Sequence, residues 1–460
     1  MRKNQDKLKE KKILVLGMAK SGAACATLLV QLGAVVTIND AKERMDHPEA
    51  SDLEALGVKV VCGGHPLSLL DDIDVVIKNP GIRYDNVLVK TALEKGLPVW
   101  TEIELTTMLS EADVIAITGS NGKTTTTTLV NDMLKDSGRT PRMAGNIGIV
   151  ASTVAANATK QDILVLELSS FQLMGTDAFK PKIAVWLNLF DAHLDYHGSR
   201  DAYIAAKAKI AANLTAEDYL VYNADDTQVV KEVSRLGGTK VPFSRKEQQE
   251  AGAYLHEGMI MFRGEQVMPL AEVVLPGEHN TENMLAAVAA AKLAGATSAQ
   301  IYRVLTSFSG VKHRLQFVGT WEGRSFYNDA KATNVLATQA ALSSFTKPTI
   351  LLAGGLDRGH SFEELRSSMA HVKAVIAFGE TRKRLASFAE KAGSTAVVVN
   401  NIGEAVREAL KYSNEGDVIL LSPACASWDQ YRTFEERGDA FLQAVAMETM
   451  PHFKPPNADV

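Results

Sequence analysis

The stretch ITGSNGKTTTTTLV, residues 117–130, nearly matches a phosphate-binding loop. The usual pattern G-x-x-x-x-G-K-[ST] is completed by the GKT of residues 122–124. Ile117 occupies the position of the first glycine, and a glycine comes two residues later, at Gly119. An apolar run that ends at Thr118 predicts a strand, and a helix is predicted to start near residue 123. Phosphate binding requires a strand–loop–helix unit of this kind.

The loop residues have the chemistry needed to hold a nucleotide triphosphate. Glycines allow a tight turn whose N–H groups converge on phosphate oxygens, Lys123 can reach the outer phosphates, and the Thr124 hydroxyl can ligate Mg²⁺. The threonine run that follows is a poor helix start, which suggests that its hydroxyls have a function. The structural alternative is a glycine-containing turn with a surface lysine. The residues predicted to bind the nucleotide are Gly119, Ser120, Asn121, Gly122, Lys123, Thr124 and Thr125.

Length and composition indicate a multidomain globular protein. The chain has 460 residues, of which 46% are hydrophobic and 22% charged. That length favours roughly three domains. A formal net charge of −5 gives no indication of a nucleic-acid partner. The three cysteines, Cys25, Cys62 and Cys425, are far apart, so we expect neither a disulfide framework nor a thiolate metal site.

Targeting signals are not expected either. The apolar run after the basic start is only residues 13–16, which is too short for a secretory signal. No stretch offers the roughly 20 uninterrupted apolar residues of a membrane helix. The cysteine usage and these features together predict a reduced, cytoplasmic protein.

Short apolar strands alternate with helical stretches along the chain. The strands include KILVLG, AVVTIND, ADVIAITG, DILVLELS, TILLAGG and DVILLSPA. Such alternation predicts parallel strands with right-handed crossovers. We therefore predict an α/β protein of three domains. These are a Rossmann-like domain at residues 1–102, a central P-loop-type ATPase domain with a parallel sheet at 103–310, and a Rossmann-like domain at 311–460.

A second strand-to-helix loop, GMAKSG at residues 17–22, lacks both G-x-G and a lysine after Gly22. It could hold a diphosphate through backbone N–H groups and the helix N-terminus alone. Asp40 ends the next strand, close to where a carboxylate meets a ribose or base in dinucleotide folds. A purely structural turn is almost as good an interpretation.

Four stretches occur in the order found in one enzyme family. They are ITGSNGKTTT, LELSSFQL, NLFDAHLDYHGSRDAYIAAKAKI and LPGEHNTENMLAA. In these stretches the chain resembles the Mur ligases, which are ATP-dependent amide-forming enzymes of cell-wall synthesis. The T-G-x-x-G-K-[ST] loop of that family also lacks the early glycine. The final block, with NDAKATNVLAT, GGLDRGHSFEEL and LSPACASWDQYRTFEERGDAF, resembles the branch that adds D-glutamate to UDP-N-acetylmuramoyl-L-alanine. The resemblance covers essentially the whole chain.

The resemblance implies a reaction in which ATP phosphorylates a substrate carboxylate and an amine then displaces phosphate from the acyl phosphate. Because this brings several negative charges together, the site must concentrate cationic groups and metal. By resemblance, the Mg²⁺ ligands are Thr124, Glu167, His193 and Lys207, the last of these as an anionic carbamate. The catalytic residues implied are Lys123, His193, Lys207 and Lys331.

Three of these positions have other interpretations. Glu167 could cap the following helix. His193 and His197 could belong to a zinc site, although no clear third ligand is present. Without the resemblance, Lys207 would be a solvated helix residue, and Lys209 would be an equal candidate.

The resemblance also assigns the remaining binding residues. ATP would be contacted by Asn280 at the adenine, Arg314 at the phosphates and Asp329 at the ribose, and the third domain would close onto the second. Asn280 could instead cap a helix. Lys331 would stabilise the reaction intermediates. The UDP substrate would be held by Ser21, Gly22, Asp40 and Asn146, and D-glutamate by Thr333, Arg358, Ser427 and Phe434. The protein would act as a monomer on small molecules.

Rival interpretations remain. Within the ligases, a sister Mur enzyme or a folate polyglutamate ligase is the nearest, but the latter lacks a separate N-terminal Rossmann-like domain. A nicotinamide-dependent dehydrogenase would leave Lys123, Glu167 and Lys207 unexplained. A nucleotide-sugar-binding regulatory protein would not need the lysine and metal set.

Overall fold

The computed structural model describes residues 7–190, 193–275 and 277–449. Residues 191, 192 and 276, which belong to two of the quoted motifs, lie outside the described part of the chain. The chain divides into two compact units. The first unit extends to Ala271 and includes Thr281–Val304, and the second comprises Glu272–Asn280 and the chain from Leu305 onwards.

The first unit contains two sheets, and the N-terminal sheet has five parallel strands in the order β3-β2-β1-β4-β5. Its strands are β1 Lys12–Leu16, β2 Val35–Asn39, β3 Lys59–Val61, β4 Val75–Lys78 and β5 Val99–Trp100. Its helices are α1 Lys20–Gln31, α2 Ala50–Ala55, α3 Val87–Glu94 and α4 Glu104–Leu109. The strand order reverses between β1 and β4, and ligands of such sheets bind at the carboxyl ends of the strands flanking that reversal.

The second sheet of this unit has nine strands in the order β14-β13-β12-β11-β10-β9-β6-β8-β7. Its strands are β6 Asp113–Thr118, β7 Thr140–Gly145, β8 Asp162–Glu167, β9 Ile183–Trp186, β10 Tyr219–Asn223, β11 Thr239–Ser244, β12 Ala253–His256, β13 Met259–Phe262 and β14 Glu265–Pro269. The helices in this stretch of the chain are α5 Lys123–Met133, α6 Ala151–Ala156, α7 Ser170–Met174, α8 Leu194–His197, α9 Arg200–Ala208 and α10 Thr227–Val233, followed by α11 Glu278–Leu293 and α12 Ser298–Leu305. The reversal falls between β6 and β9, so the loop after β6 is at the expected ligand-binding edge.

The prediction of a parallel central sheet is correct only for its main part. Strands β6 to β12 pair in parallel, whereas β12, β13 and β14 form an antiparallel extension. The extension consists of short hairpins with tight turns, including Gly258 at φ +75° and Gly264 at φ +81°. A strand-and-helix rhythm does not indicate such hairpins because they contain no helix.

The second unit contains a six-stranded sheet in the order β15-β16-β20-β17-β18-β19. Its strands are β15 Gln316–Trp321, β16 Arg324–Asn328, β17 Thr349–Gly354, β18 Val372–Phe378, β19 Thr395–Val398 and β20 Val418–Leu421. Its helices are α13 Val335–Leu342, α14 Arg382–Lys391, α15 Ile402–Tyr412 and α16 Phe434–Thr449. Strand β15 pairs antiparallel with β16, and the other pairs are parallel.

Each sheet is covered by apolar layers, as the continuous apolar strands require. In the first unit, Trp186 and Leu166 lie in the core of the nine-stranded sheet, and Ile13 and Ile38 lie in that of the five-stranded sheet. Helix α6 contributes Ala156 to the latter core, so the two sheets of this unit share packing. In the second unit, separate apolar clusters form on the two faces of its sheet. No helix in the described ranges has the length and apolarity to cross a bilayer.

Candidate active site

The phosphate loop has the conformation that its sequence predicts. Strand β6 ends at Thr118 and helix α5 begins at Lys123, with Gly122 before it at φ +81°. A Cβ atom on Gly122 would lie 2.1 Å from Asn283 Oδ1. Gly122 is therefore needed both for its left-handed backbone and for the close approach of Asn283.

Three residues outside the loop, Asn188, Phe190 and Tyr203, bond to it and fix its shape. Asn188, which follows β9, accepts a hydrogen bond from Asn121 N at 2.9 Å and donates one to Asn121 O at 3.2 Å. Ser120 Oγ lies 2.9 Å from Tyr203 Oη and donates to Phe190 O at 3.0 Å. The sequence analysis missed Asn188, for which the signal was a polar residue at the carboxyl end of an apolar strand beside the reversal.

Two lysine amines converge on one carbonyl oxygen of this loop. Lys123 Nζ donates to Gly119 O at 2.9 Å and to Ser120 O at 3.1 Å, and Lys207 Nζ donates to Gly119 O at 2.7 Å. Lys207 is 2% exposed, and burial, together with the charge of Lys123, lowers its pKa well below the usual range. The interpretation of Lys207 as a solvated residue is thus wrong.

Lys209, the alternative to Lys207, points elsewhere. Its Nζ donates to Met174 O and to Thr176 O, both at 2.8 Å, and it makes no contact of this kind with the phosphate loop. Of the two lysines on this segment, only Lys207 shares a partner with Lys123.

Glu167 has the environment expected of a cation ligand. It is 2% exposed at the end of β8, and its Oε1 accepts a hydrogen bond from Asn146 Nδ2 at 2.9 Å. Its Oε2 is buried and has no hydrogen-bond partner among the residues that the structure describes. A buried carboxylate oxygen of this kind is costly unless a cation or donor binds to it. The helix-capping role is filled instead by Ser169, which forms a capping box with Gln172.

His193 precedes α8 in a left-handed conformation, at φ +56°, and its ring lies 4.9 Å from that of Phe171. His197 is buried, with Nε2 3.0 Å from Ser170 Oγ and its ring stacked on Phe171 at 5.3 Å. Among the described residues, no three His, Cys, Asp or Glu side chains are grouped as a metal site requires. The residues predicted to bind Mg²⁺ are not a group of this kind, since they include the Thr124 hydroxyl and Lys207 beside Glu167 and His193.

The threonine run has mixed roles. Thr126 and Thr127 are fully buried, and their hydroxyls have no hydrogen-bond partner in the described part of the chain, whereas Thr128 Oγ1 donates to Thr124 O at 2.8 Å. The Thr128 hydroxyl is therefore used within the helix, whereas a function for the hydroxyls of Thr126 and Thr127 stays a prediction.

The loop after β1 is closed by backbone contacts and one carboxylate. A Cβ on Gly22 would lie 1.8 Å from Gly17 O, so only glycine fits. Asp40 Oδ2 accepts from Met18 N at 2.8 Å and Oδ1 from Lys42 N at 3.0 Å. Burial opposes its ionisation, but these bonds and the nearby His47 outweigh burial and lower the pKa of Asp40.

In the second unit, Asp329 is buried at the end of β16. Its Oδ1 accepts from Leu315 N at 3.1 Å and its Oδ2 from Ser422 Oγ at 2.9 Å. Burial raises the pKa of Asp329 to about 7, even though Arg314 and Arg437 favour its ionised form. Asn280, also in this unit, lies inside α11 rather than at its cap, since the helix begins at Glu278.

Two cation–aromatic pairs lie among the residues of the second unit that are predicted to contact the intermediates and D-glutamate. Lys331 Nζ lies 5.2 Å from the ring centroid of Phe434, and the Arg358 guanidinium lies 4.9 Å from that of Trp428. Ser427, next to Trp428, is 2% exposed. Thr333 N donates to Lys331 O at 2.8 Å.

The sequence analysis missed Trp428 and the buried Arg437, whose guanidinium donates to Ala330 O at 3.0 Å and to Cys425 O at 2.9 Å.

Replacing Gly122 with alanine should weaken nucleotide binding. The left-handed backbone would cost about 1–2 kcal/mol, and the new methyl group would displace Asn283. We expect the KM for ATP to rise at least about tenfold in steady-state kinetics. Gly138→Ala is the matched control, because Gly138 has φ +86° with nothing within 4 Å of an added Cβ. Equal KM values for the two variants would contradict the placement of the loop.

Three mainly parallel α/β sheets and a glycine-lysine phosphate loop are typical of multidomain nucleotide-binding proteins. Three family models match successive parts of the chain: the Mur ligase MurD-like N-terminal domain at residues 11–101, the Mur ligase middle domain at 117–291, and the Mur ligase glutamate ligase domain at 313–425. The chain belongs to the Mur ligase family.

Two curated relatives are similar over nearly their full lengths. A UDP-N-acetylmuramoylalanine–D-glutamate ligase of Shouchella clausii is 62% identical over 95% of this chain and 96% of its own. The protein of the same name from Bacillus subtilis is 54% identical over 96% of this chain and 99% of its own.

Solved structures of other family members share the fold. The UDP-N-acetylmuramate–alanine ligase of Thermotoga maritima has a TM-score of 0.56 at 21% identity, over 95% of this chain and 99% of its own. A MurF ligase of the same organism, solved with ADP, has a TM-score of 0.55 at 17% identity, over 97% of this chain and 98% of its own. The predicted three-domain α/β architecture is confirmed.

Proposed function

We propose that this chain joins D-glutamate to UDP-N-acetylmuramoyl-L-alanine in peptidoglycan precursor synthesis, with cleavage of ATP to ADP and phosphate. The observation that carries the proposal is the convergence of the Lys123 and Lys207 amines on Gly119 O, at 2.9 and 2.7 Å. The names of the 62% and 54% identical relatives support the choice of substrates.

The proposed reaction has two steps. A carboxylate oxygen of the UDP substrate attacks the γ-phosphorus of ATP, and ADP leaves, which produces an acyl phosphate. The amine nitrogen of D-glutamate then attacks the acyl carbon, phosphate leaves with that oxygen, and the amine gives up a proton. Both steps concentrate negative charge, so catalysis depends mainly on positioned cations.

In the first unit, the phosphate loop and its lysines hold the triphosphate. Lys123 is assigned to the β- and γ-phosphates, and the backbone N–H groups of Gly119 to Thr125 to the remaining phosphate oxygens. Mg²⁺ would be held by Thr124, Glu167, His193 and Lys207, where it would reduce the repulsion between ATP and the carboxylate. The unpartnered Oε2 of Glu167 fits that ion.

Lys207 is assigned as a carbamate. A cationic side chain there would repel both Mg²⁺ and Lys123, whereas a carbamate is anionic and can bind the ion. The residue is 2% exposed and already close to the loop, so the modified group would be shielded from bulk water.

The remaining assignments concern the UDP substrate, ATP and D-glutamate. Ser21, Gly22, Asp40 and Asn146 are assigned to the UDP substrate. In the second unit, Asn280, Arg314 and Asp329 are assigned to ATP. Lys331 is assigned to the developing charge of the intermediates, and Thr333, Arg358, Ser427 and Phe434 to D-glutamate. A guanidinium at residue 358 can bind a carboxylate with two parallel hydrogen bonds.

We further propose a cytoplasmic monomer with domain boundaries near residues 102 and 310. The sparse cysteines support the compartment. The end of β5 at Trp100 and the end of the N-terminal family match at residue 101 support the first boundary, and the end of α12 supports the second.

Release of inorganic phosphate from ATP and Mg²⁺ tests the proposal. We expect release only when UDP-N-acetylmuramoyl-L-alanine and D-glutamate are both present, because the acyl phosphate must form and then react with the amine. The measurement is a coupled phosphate assay in which each substrate is omitted in turn and L-glutamate replaces D-glutamate. Release with L-amino acids but not with D-glutamate would overturn the specificity.

A further inference from the structure

Lys78 is a buried lysine to which the proposed reaction gives no role. It is 1% exposed at the carboxyl end of β4, next to the reversal in strand order. Its ammonium has three acceptors: Ile82 O at 2.9 Å, Pro80 O at 3.3 Å and Tyr196 Oη at 3.3 Å. In the described part of the chain it forms no ion pair with a carboxylate. Burial without such a partner lowers the pKa of Lys78 to about 7.

The two carbonyls belong to a loop, residues 79–82, that forms one side of the proposed UDP site. Asn79 N donates to Leu16 O at 2.8 Å, and Asn79 Nδ2 donates to Ser21 Oγ at 3.0 Å. A Cβ on Gly17 would lie 3.0 Å from Asn79 Cβ and 3.2 Å from Ile82 Cδ1. Loop 79–82 and the loop after β1 are therefore bonded and packed together, so a shift of loop 79–82 would carry the UDP-side loop with it as one piece.

The third acceptor belongs to the segment that carries His193. Tyr196 Oη lies 2.9 Å from Pro80 O and 2.8 Å from Ile82 O, and Tyr196 N donates to His193 O at 3.1 Å. The Phe171 ring lies 4.4 Å from the Tyr196 ring and 4.9 Å from the His193 ring. A tyrosine hydroxyl has one proton, so it cannot fully satisfy two carbonyls, and the Lys78 ammonium supplies the missing donors.

We propose that Lys78 and Tyr196 are positioning residues. They hold loop 79–82, on the UDP side of the substrate site, at a fixed distance from residues 193–196, which include His193. The inference rests on the proposed function, since the long substrate must place its nucleotide at one end and its reacting carboxylate at the other. Neither residue touches the reacting atoms. Their effect is to fix the distance between the two ends of the substrate site, which matters only for a ligand that occupies both ends.

The test compares Lys78→Met, Tyr196→Phe and the double variant with Lys59→Met, an exposed lysine on β3, as control. We expect kcat/KM for UDP-N-acetylmuramoyl-L-alanine to fall about tenfold in each single variant, the loss typical of one buried hydrogen bond to a charged group. The KM for ATP and the affinity for UDP alone, measured by calorimetry, should stay unchanged. The double variant should lose little more than the worse single variant, because both residues bind the same carbonyls.

Each possible result of these measurements either supports or overturns the role of Lys78 and Tyr196. Tyr196→Phe keeps the ring on Phe171, so it provides a folded variant if Lys78→Met does not fold. Wild-type kinetics in a folded variant, or an equal loss in every parameter including UDP affinity, would overturn the inference while leaving the proposed function intact. If the wild-type protein does not turn over these substrates, the proposed function fails and the inference fails with it.

Discussion

Replacing Lys123 with alanine abolishes ATP use while leaving the UDP substrate bound. Lys123 Nζ donates to Gly119 O and Ser120 O within the loop, and it is the cation that we assign to the β- and γ-phosphates. Loss of such a preorganised charge typically costs about a hundredfold to a thousandfold in kcat, so the rate of ADP formation should fall by about that factor. ADP release by a coupled assay and substrate binding by calorimetry measure the two halves of this prediction.

Lys135→Ala is the matched control for this substitution. Lys135 follows the same helix, and its exposed ammonium pairs with Asp132 at 2.7 Å. An exposed pair contributes little to stability, so this variant should keep wild-type activity. If Lys123→Ala lost substrate binding but kept ATP cleavage, the assignment of the loop would be wrong.

Replacing Lys207 with alanine removes most activity, and small carboxylates partly restore it. The truncation leaves a cavity beside Gly119 O, where formate or acetate could supply the oxygens of the missing carbamate. We expect kcat to fall about a hundredfold or more, with a dose-dependent recovery in millimolar formate. The measurement is kcat for phosphate release as formate is titrated.

Lys209→Ala tests whether the rescue is specific to position 207. Lys209 lies on the same segment but donates to Met174 O and Thr176 O. Its replacement should lower stability modestly, leave kcat within about twofold, and show no response to formate. Normal turnover by Lys207→Ala would refute the carbamate role.

The phosphate loop could be predicted closely from the sequence. The strand before it, the glycine turn and the helix from Lys123 are determined within a few residues by local conformational preferences. The parallel strands could also be predicted from the sequence, because buried parallel strands are continuous apolar runs. The hairpins β12 to β14 could not be predicted, since their sequences lack a helical crossover and their pairing depends on turns.

The burial of Lys207 could not be predicted from residue types alone. Lys207 and Lys209 are two positions apart on one polar-looking segment, and only the packing of α9 determines that the first is buried and the second is not near the loop. The resemblance selected the lysine that lies beside the phosphate loop, whereas the residue pattern left the choice open.

Contacts between distant segments explain the other omissions. Asn188 reaches Asn121 across 67 residues, and Lys78 reaches Tyr196 across 118. Neither pair has a recognisable spacing, because each depends on how neighbouring strands end at the same edge of a sheet. Lys78, a lysine at the end of an apolar strand that the sequence analysis did not single out, is a buried donor to three oxygens.

The central claim is that the UDP substrate is activated as an acyl phosphate beside Lys123. The most direct test labels both oxygens of the terminal carboxylate of UDP-N-acetylmuramoyl-L-alanine with ¹⁸O and follows the label by mass spectrometry after turnover with ATP, Mg²⁺ and D-glutamate. One labelled oxygen should appear in the released phosphate and the other in the new amide. Product formation with unlabelled phosphate would contradict the account.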